Sequence, residues 1–389
     1  MISLPLTLKP GSANAIDARI RPANERLEAI DALRGIAIAT MSLQHVAFFM
    51  RGSFQAETYG GRPAQLMSWP YWISGLAVDL NAPTFWLLVG MSVPLMVSKH
   101  RRAGESEWAI TLQMLKRVGV LALLDMTVCE WAWRIADPPV PYTHVLLSIS
   151  LSLALLSVFR LLPTKILAAA VTAMVIVYQA ILPTHVSAWS ETDSAWIALL
   201  VGYRTAPWPA LEFALLGWFP LVCVGFLLGS RDAAQLKRPV FWCAVSAALW
   251  SGWLLLRTTG VFGDLVRYSR GDDWYRFLIM NKTPIALTYV LFYWGLASLL
   301  LAGLMRAAPY SRRIPLSWLV ALGRASLFAF VAHIGIYSVL TRLTRAVALP
   351  LPRVAITYVL FVVGMAILVP TSRYYIDWRS QRPKTVWLP

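Results

Sequence analysis

The 389-residue chain is 58% hydrophobic and only 14% charged, with a mean hydropathy of +0.60, which excludes an ordinary soluble domain and is typical of a polytopic membrane protein. A net charge of +16 would indicate nucleic-acid binding in a soluble protein. Most Lys and Arg residues here lie in loops between apolar runs, so we interpret them as topology signals and contacts to membrane lipids, and we expect no nucleic-acid partner.

About ten apolar runs are long enough to cross the hydrocarbon core of a bilayer. In chain order they cover residues 30–50, 71–97, 118–136, 143–162, 166–183, 210–228, 239–256, 283–305, 318–340 and 354–369. Because backbone polar groups find no water in lipid, these runs predict helices, and the alternating pattern of a membrane barrel is absent. The expected fold is an all-α bundle formed by residues 26–372, between an N-terminal segment 1–25 and a C-terminal tail 373–389.

The loops between these runs alternate in charge along the chain. The set rich in Lys and Arg predicts the cytoplasmic side, which places both termini in the cytoplasm. The first twenty-odd residues lack the apolar core of a signal peptide, so we expect the N-terminus to be retained. One loop on the opposite side, residues 257–282, carries five basic residues. Either one helix is miscounted, or this loop is a functional basic surface.

The first apolar run carries two ionisable groups that helical geometry places on one face. Arg34 and His45 are eleven residues apart, which is three turns plus about 20°, with an axial separation of about 16 Å. Ionisable residues within a membrane segment are costly and are functional candidates. His45 is either a general base or a packing histidine. Arg34 either binds phosphate through its guanidinium or pairs with Asp31 as an anchor near the interface.

Three further polar residues within apolar runs are candidates for the same site. Asp79 and Asn81, in the second run, reach a depth comparable to that of His45, and Asp79 is predicted to orient its imidazole by a hydrogen bond. The alternative is that Asp79 caps a helix that starts before Pro83. His333, seven residues after Ser326, is either a second functional histidine or a structural hydrogen bond between helices.

Basic residues on the predicted cytoplasmic side extend the positive charge around Arg34. Arg101, Arg102 and Arg117 could surround an anionic group, although surface cations also contact lipid headgroups. The three cysteines form no CxxC motif and no Cys/His cluster, so we predict neither a disulfide framework nor a metal site.

At these residues the sequence resembles a known family. RLEAIDALRGIAIATMSLQH resembles the opening of bacterial membrane proteins related to the catalytic domain of heparan-α-glucosaminide N-acetyltransferase, and of the wider transmembrane acyltransferase superfamily. That superfamily includes the acyltransferase-3 proteins, whose Arg/Lys-x10-His motif has the spacing of Arg34 and His45. The stretches VDLNAPTFWLLVGMS, WFPLVCVGFLLG, NKTPIALTYVLFYWGLASLL and LGRASLFAFVAH resemble further family helices in order. Lys282-Thr283-Pro284 departs from the family's double proline.

The resemblance implies a multi-helix enzyme of the bacterial inner membrane. It would take an acyl group from cytoplasmic acyl-CoA and pass it to a hydroxyl or amine of a sugar or glycan at the outer face. Arg34 would help to hold the CoA, and His45 would be the catalytic histidine. The human-type enzyme has its catalytic histidine in the following loop, but residues 51–70 contain none. The mechanism is therefore expected to follow the acyltransferase-3 pattern, and a glucosamine acceptor does not transfer by analogy.

The leading hypothesis is thus an acyl-CoA-dependent acyltransferase, most simply an acetyltransferase. His45 would deprotonate the acceptor or form an acyl-histidine intermediate, and Asn81 or His333 would donate to the developing oxyanion. A proton-coupled secondary transporter also uses buried His, Asp and Glu residues, but the internal repeat common in transporters is absent. A noncatalytic scaffold would not need Arg34 and His45 on one stripe. Assembly into a homo-oligomer stays open.

Overall fold

A computed structural model describes residues 28–50, 68–136, 145–189, 194–202, 211–269, 271–308, 313–347 and 350–382, without the side chains of 184–189. The described part contains fifteen α-helices and no β-strand. They are α1 Glu28–Phe49, α2 Trp69–Val78, α3 Asn81–Arg102, α4 Glu107–Leu124, α5 Glu130–Ile135, α6 Val145–Phe159, α7 Thr164–Trp189, α8 Ala195–Leu200, α9 Leu215–Gly229, α10 Ala233–Leu236, α11 Pro239–Thr259, α12 Leu287–Ala307, α13 Leu316–Arg324, α14 Ser326–Val347 and α15 Arg353–Ser380.

The predicted membrane fold is confirmed by the lengths and composition of these helices. In the described residues, seven spans are long and apolar enough to cross a bilayer: α1, α2 with α3, α7, α11, α12, α14 and α15. The shorter apolar helices α6 and α9 have 15 residues each. A π turn at Asp125–Cys129 joins α4 to α5, and this composite helix covers the third predicted run. Each predicted run is therefore occupied by helix.

Two predicted runs are interrupted by a break. The second run consists of α2 and α3, which meet at Asp79 and Leu80, and the ninth consists of α13 and α14, which meet at Ala325. Hydropathy averaged over a membrane-length window does not register a break of one or two residues, which is why a continuous helix was expected at both places. The break at Asp79 and Leu80 places the side chains of Asp79 and Asn81 in the interior of the bundle.

Glycine allows α1 and α13 to touch along their backbones. A Cβ atom at Gly35 would lie 2.0 Å from the Leu319 carbonyl oxygen, and one at Gly323 would lie 1.7 Å from the Asp31 carbonyl oxygen. Neither position has room for a side chain, and small residues at such crossings are typical of membrane helix packing. This contact places Arg324 next to the first turns of α1.

The loop between α11 and α12 is organised around a buried arginine. The Arg257 side chain is fully buried and pairs with Asp264. It also donates to four loop carbonyl oxygens: that of Val266 and those of Arg276 at 2.6 Å, Phe277 at 2.9 Å and Ile279 at 2.7 Å. Lys282 is buried as well. Two of the five basic residues that seemed to violate the charge rule are therefore internal.

Candidate active site

The structure brings His45 and His333 into direct contact. His45 lies on α1, one turn before the helix ends, and His333 lies on α14. His45 Nδ1 and His333 Nε2 are 2.8 Å apart, and the two rings stack with centroids 4.9 Å apart and an interplanar angle of 16°. The sequence predicts both as site residues but does not predict that they pair with each other.

The hydrogen bonds of the pair define which nitrogen can accept a proton. His333 Nδ1 is 3.1 Å from the Ala329 carbonyl oxygen, which can only accept, so Nδ1 carries the hydrogen. In neutral His333, Nε2 is then an acceptor, and His45 Nδ1 must donate to it. This leaves the lone pair of His45 on Nε2, as a general base requires. The tautomers of both rings thus follow from the donor and acceptor roles of these atoms.

Aromatic side chains enclose the histidine pair. The Trp133 ring meets the His45 ring edge-on at 5.1 Å, and the Phe49 ring lies 4.6 Å from Trp133. Trp133 is carried by α5, directly after the π turn, where the wider turn rotates the residues that follow it. Arg345 of α14 donates to the Phe49 carbonyl and, at 2.7 Å, to the Ala136 carbonyl. The C-terminal ends of α1 and α5 are thereby held against α14.

Asp79 and Asn81 lie at the break between α2 and α3 and are both buried. Asn81 Nδ2 donates to Gln44 Oε1 at 2.8 Å, next to His45 in the chain. The Asp79 carboxylate pairs with Lys282 Nζ at 3.6 Å. The hydrogen bond between Asp79 and His45 stays a prediction, and the structure gives each of them another partner.

Lys282 is a buried ionic residue that sequence reasoning did not select. It was counted among the basic residues of a loop, whereas its side chain is 4% exposed and is enclosed with Asp79. The available signal was its position directly before Thr283-Pro284 and an apolar helix. Because the apolar helix that follows enters the bundle, a lysine directly before it is expected to be buried.

Within the described part of the chain, Arg34 belongs to a cluster of four charges at the predicted cytoplasmic end of α1. Arg34 Nη1 is 3.2 Å from Asp31 Oδ1, which confirms the pairing expected under the anchor interpretation. Arg324, a residue that sequence reasoning did not assign to the site, bonds Glu28 at 2.8 Å and approaches Asp31 at 3.7 Å. The formal charges of the cluster balance. Anion binding there requires Arg34, which is 21% exposed, to share its donors with the ligand.

The remaining basic candidates lie on α3 and α4. Arg101 Nε bonds Glu107 at 2.5 Å, and the buried Arg160 pairs with the same carboxylate. These two guanidinium groups lower the pKa of Glu107 to about 2. The exposed Arg102 side chain bonds Ser98 at 3.2 Å. Arg117 is also exposed, and the positive charge of Arg379 repels it.

Comparison with protein families identifies the family of the chain. The family model described as heparan-alpha-glucosaminide N-acetyltransferase, catalytic, matches residues 26–259, from the start of the membrane bundle to the end of α11. No match was found among curated proteins. The matched region includes Arg34, His45, Asp79 and Asn81, whereas His333 and Lys282 lie beyond it. Because the match covers more than half of the chain, the protein belongs to the heparan-alpha-glucosaminide N-acetyltransferase catalytic-domain family, a family of membrane acetyltransferases.

Proposed function

We propose that the protein transfers an acyl group, most simply acetyl, from cytoplasmic acyl-CoA to a hydroxyl or amine of a sugar or glycan at the outer face of the bacterial inner membrane. Both termini would then lie in the cytoplasm. The observation that carries the proposal is the hydrogen-bonded pair of His45 and His333, whose arrangement leaves a proton-accepting nitrogen on His45 inside an aromatic enclosure. Family membership favours this enzyme over a proton-coupled transporter.

His45 would act as the general base of the transfer. Its Nε2 takes the proton of the acceptor O–H or N–H while the acceptor atom forms a bond to the thioester carbonyl carbon. The carbon–sulfur bond then breaks, and the proton passes from His45 to the departing thiolate. His333 is a positioning residue, because it accepts the His45 Nδ1–H and thereby keeps Nε2 directed at the acceptor. Asp79, in the neighbouring polar cluster, would support the charged imidazole.

Asn81 is the proposed donor to the oxyanion that forms during the transfer. One of its two amide hydrogens is used by Gln44, and the second is available to a negative oxygen. His333 is less suited to this role, because its Nε2 accepts a hydrogen bond in the observed arrangement. Of the two oxyanion donors that the sequence suggests, Asn81 and His333, we therefore propose Asn81.

The basic residues at the cytoplasmic end would hold the phosphates of the donor. Arg34, joined by Arg324, lies about 16 Å along α1 from His45, a distance that an extended pantetheine arm spans. Arg101, Arg102 and Arg117 would add positive charge at longer range. Because Arg34 is already hydrogen-bonded to Asp31, its guanidinium is oriented before the ligand arrives.

The first experiment measures transfer of labelled acetyl from acetyl-CoA to a mixture of sugar acceptors by protein purified in detergent. His45→Ala should lower turnover by about 10² to 10⁴, the usual contribution of a general base, while acetyl-CoA still raises the melting temperature. His100→Ala is the matched control, because His100 lies in the last turn of α3, where it pairs with Glu105, and this variant should retain activity. Wild-type turnover in the His45 variant would refute the assignment.

A second experiment separates donor binding from chemistry. Arg34→Ala should weaken acetyl-CoA binding in calorimetry, because a phosphate loses a bidentate donor. Arg231→Ala removes an exposed arginine on the same side of the predicted membrane and should leave binding unchanged. If no acyl-CoA stabilises the folded wild-type protein, the proposed activity is wrong.

A further inference from the structure

Four aromatic rings form a compact cluster between α2 and the loop that precedes α12. Trp69 and Trp72 lie at the start of α2, and Trp274 and Tyr275 lie in the 3-10 turn Trp274–Leu278. All six pairs of rings have centroids between 5.5 Å and 6.4 Å apart. We call these four residues the aromatic platform. Tyr71 of α2 packs against Ala47 of α1, so the platform lies at the same end of the bundle as His45.

Two of the four rings are open to the surroundings and two support them. Trp69 is 46% and Trp274 is 63% exposed, whereas Trp72 is 4% exposed. The two open rings are nearly parallel, with an angle of 14° and centroids 5.7 Å apart, and Trp72 meets both of them edge-on.

Charged residues flank Trp274 in the chain. Asp272 and Asp273 directly precede Trp274, and Arg276 follows two residues later, with its guanidinium 3.7 Å from the Asp272 carboxylate. Both Asp273 and Arg276 are solvent-accessible. Carboxylates are unfavourable in the hydrocarbon region of a bilayer, so this rim argues against insertion of Trp274 into lipid.

The platform is fixed to the bundle from both sides. The Tyr358 hydroxyl of α15 donates to the Pro70 carbonyl at 3.1 Å and lies 2.6 Å from the Ser74 hydroxyl, which holds the start of α2. Arg257 holds the 3-10 turn through the Arg276 and Phe277 carbonyls. A ligand that binds here therefore loses little affinity to ordering of the protein.

We propose that the aromatic platform binds a sugar ring of a glycan on the outer side of the membrane, separately from the site at His45. The C–H face of a pyranose stacks on Trp274 and Trp69, and its hydroxyl groups bond to the Asp272 and Asp273 carboxylates and the Arg276 guanidinium. The combination of open indole rings with a charged, hydrogen-bonding rim matches this ligand better than a purely apolar one. The side of the membrane and the glycan class rest on the proposed function. The platform would hold a sugar unit other than the one that receives the acyl group.

The test measures binding of hexasaccharides of glucose, N-acetylglucosamine and glucosamine to the full-length protein in nanodiscs, without acyl-CoA. At least one of them should bind, and Trp274→Ala should weaken that binding about tenfold, as loss of an aromatic contact does. Trp274→Phe should restore most of it, because a ring is retained. Trp196→Ala is the matched control, since Trp196 is 76% exposed on α8 outside the platform, and it should bind as the wild type does.

Binding and fluorescence measurements can each overturn the proposal. The first would do so if no hexasaccharide binds, or if Trp274→Ala and Trp196→Ala weaken binding equally. The second would do so if brominated phospholipids in the nanodisc strongly quench the fluorescence that Trp274→Phe removes, which would place the ring among acyl chains. The inactive His45→Ala variant should bind the hexasaccharide normally. Failure of the platform and failure of the acyl-transfer proposal therefore give different results.

Discussion

At the scale of single residues, His333 is a positioning residue, whereas His45 is the proposed catalytic base. Its Nε2 accepts from His45 and its Nδ1 donates to Ala329, so it sets the orientation of an imidazole that it does not replace. An aligned base needs this support, because a ring free to turn about its χ2 angle points Nε2 away from the acceptor for much of the time.

We expect His333→Leu to lower kcat by about 10²-fold, the cost of a misplacement near 1 Å in a reacting group. The KM for acetyl-CoA should change little, because His333 is distant from the arginines at the other end of α1. His333→Gln should recover part of the lost rate, since its amide oxygen still accepts from His45. Steady-state kinetics and the pH profile of kcat check this. Equal losses in the Leu and Gln variants, or a profile unchanged in His333→Leu, would contradict it.

At the scale of helices, the crossing of α1 and α13 controls where the cytoplasmic charge cluster lies. Gly323 has no space for a methyl group, and the obstacle is the backbone of α1, which cannot rotate aside as a side chain does. The helices must separate if the methyl group is added, and Arg324 moves with α13.

Gly323→Ala should therefore lower the melting temperature in detergent, by an amount that corresponds to about 1–3 kcal/mol for an overpacked contact, and should weaken acetyl-CoA binding. Gly303→Ala is the matched control in α12, where an added Cβ meets nothing within 4 Å. This control should be neutral or slightly stabilising, because alanine is the better helix former. Equal melting temperatures in the two variants would contradict the close contact between Gly323 and the backbone of α1.

A second prediction at this scale concerns Glu107, which joins the turn after α3 to α6 through Arg101 and Arg160. Its pKa in the folded protein is lowered from 4.5 to about 2 by these two hydrogen-bonded guanidinium groups. The stabilisation is therefore complete above pH 4.5 and is lost as the pH falls toward 2.

Glu107→Gln should lower the melting temperature near neutral pH, and the difference from wild type should shrink between pH 4.5 and pH 2. The carboxylate is partly exposed, so the effect should be modest and should diminish in high salt. Thermal unfolding recorded across this pH range checks the prediction. A difference that stays constant with pH would show that the amide acts through packing and not through charge.

At the scale of the whole molecule, the proposed transfer across the bilayer requires one orientation in the membrane. The Arg34 end of α1 must face the cytoplasm, which contains the acyl-CoA, and the His45 end must face the outer side. The loops that hold most of the exposed basic residues should be cytoplasmic, and the platform and the histidine pair should lie at the other end. Because Arg257 and Lys282 are buried, the loop before α12 exposes less positive charge than its sequence suggests, which favours this orientation.

Labelling of intact cells with a membrane-impermeant maleimide checks the orientation. In a background in which Cys129, Cys223 and Cys243 are replaced by alanine, Val261→Cys should react, because Val261 is 80% exposed after α11 at the predicted outer end. Ser230→Cys, after α9 at the opposite end, should react only once the cells are lysed. If Ser230→Cys reacts in intact cells and Val261→Cys does not, the topology is the reverse of the predicted one. Cytoplasmic acyl-CoA would then face the His45 end of α1 and not the Arg34 end.

Much of the architecture was predictable because it depends on local properties of the chain. Apolar runs of bilayer length determine helices wherever water is absent, since no other backbone hydrogen bonds are available. Helical periodicity alone placed Arg34 and His45 on one face and allowed for the pairing of Arg34 with Asp31. Short-range geometry of this kind does not depend on how the helices are arranged around one another.

The partners of the site residues were decided only by the tertiary structure. His45 meets His333 from 288 positions further along the chain, Asp79 meets Lys282, and Arg324 joins Asp31 across a glycine contact. Hydropathy and periodicity give the depth of a residue and its face on its own helix, but they do not say which helix lies opposite. Which helix lies opposite depends on packing among all the helices at once. The features that determined it here are the breaks at Asp79–Leu80 and Ala325, the π turn before Trp133 and the small residues at the helix crossings.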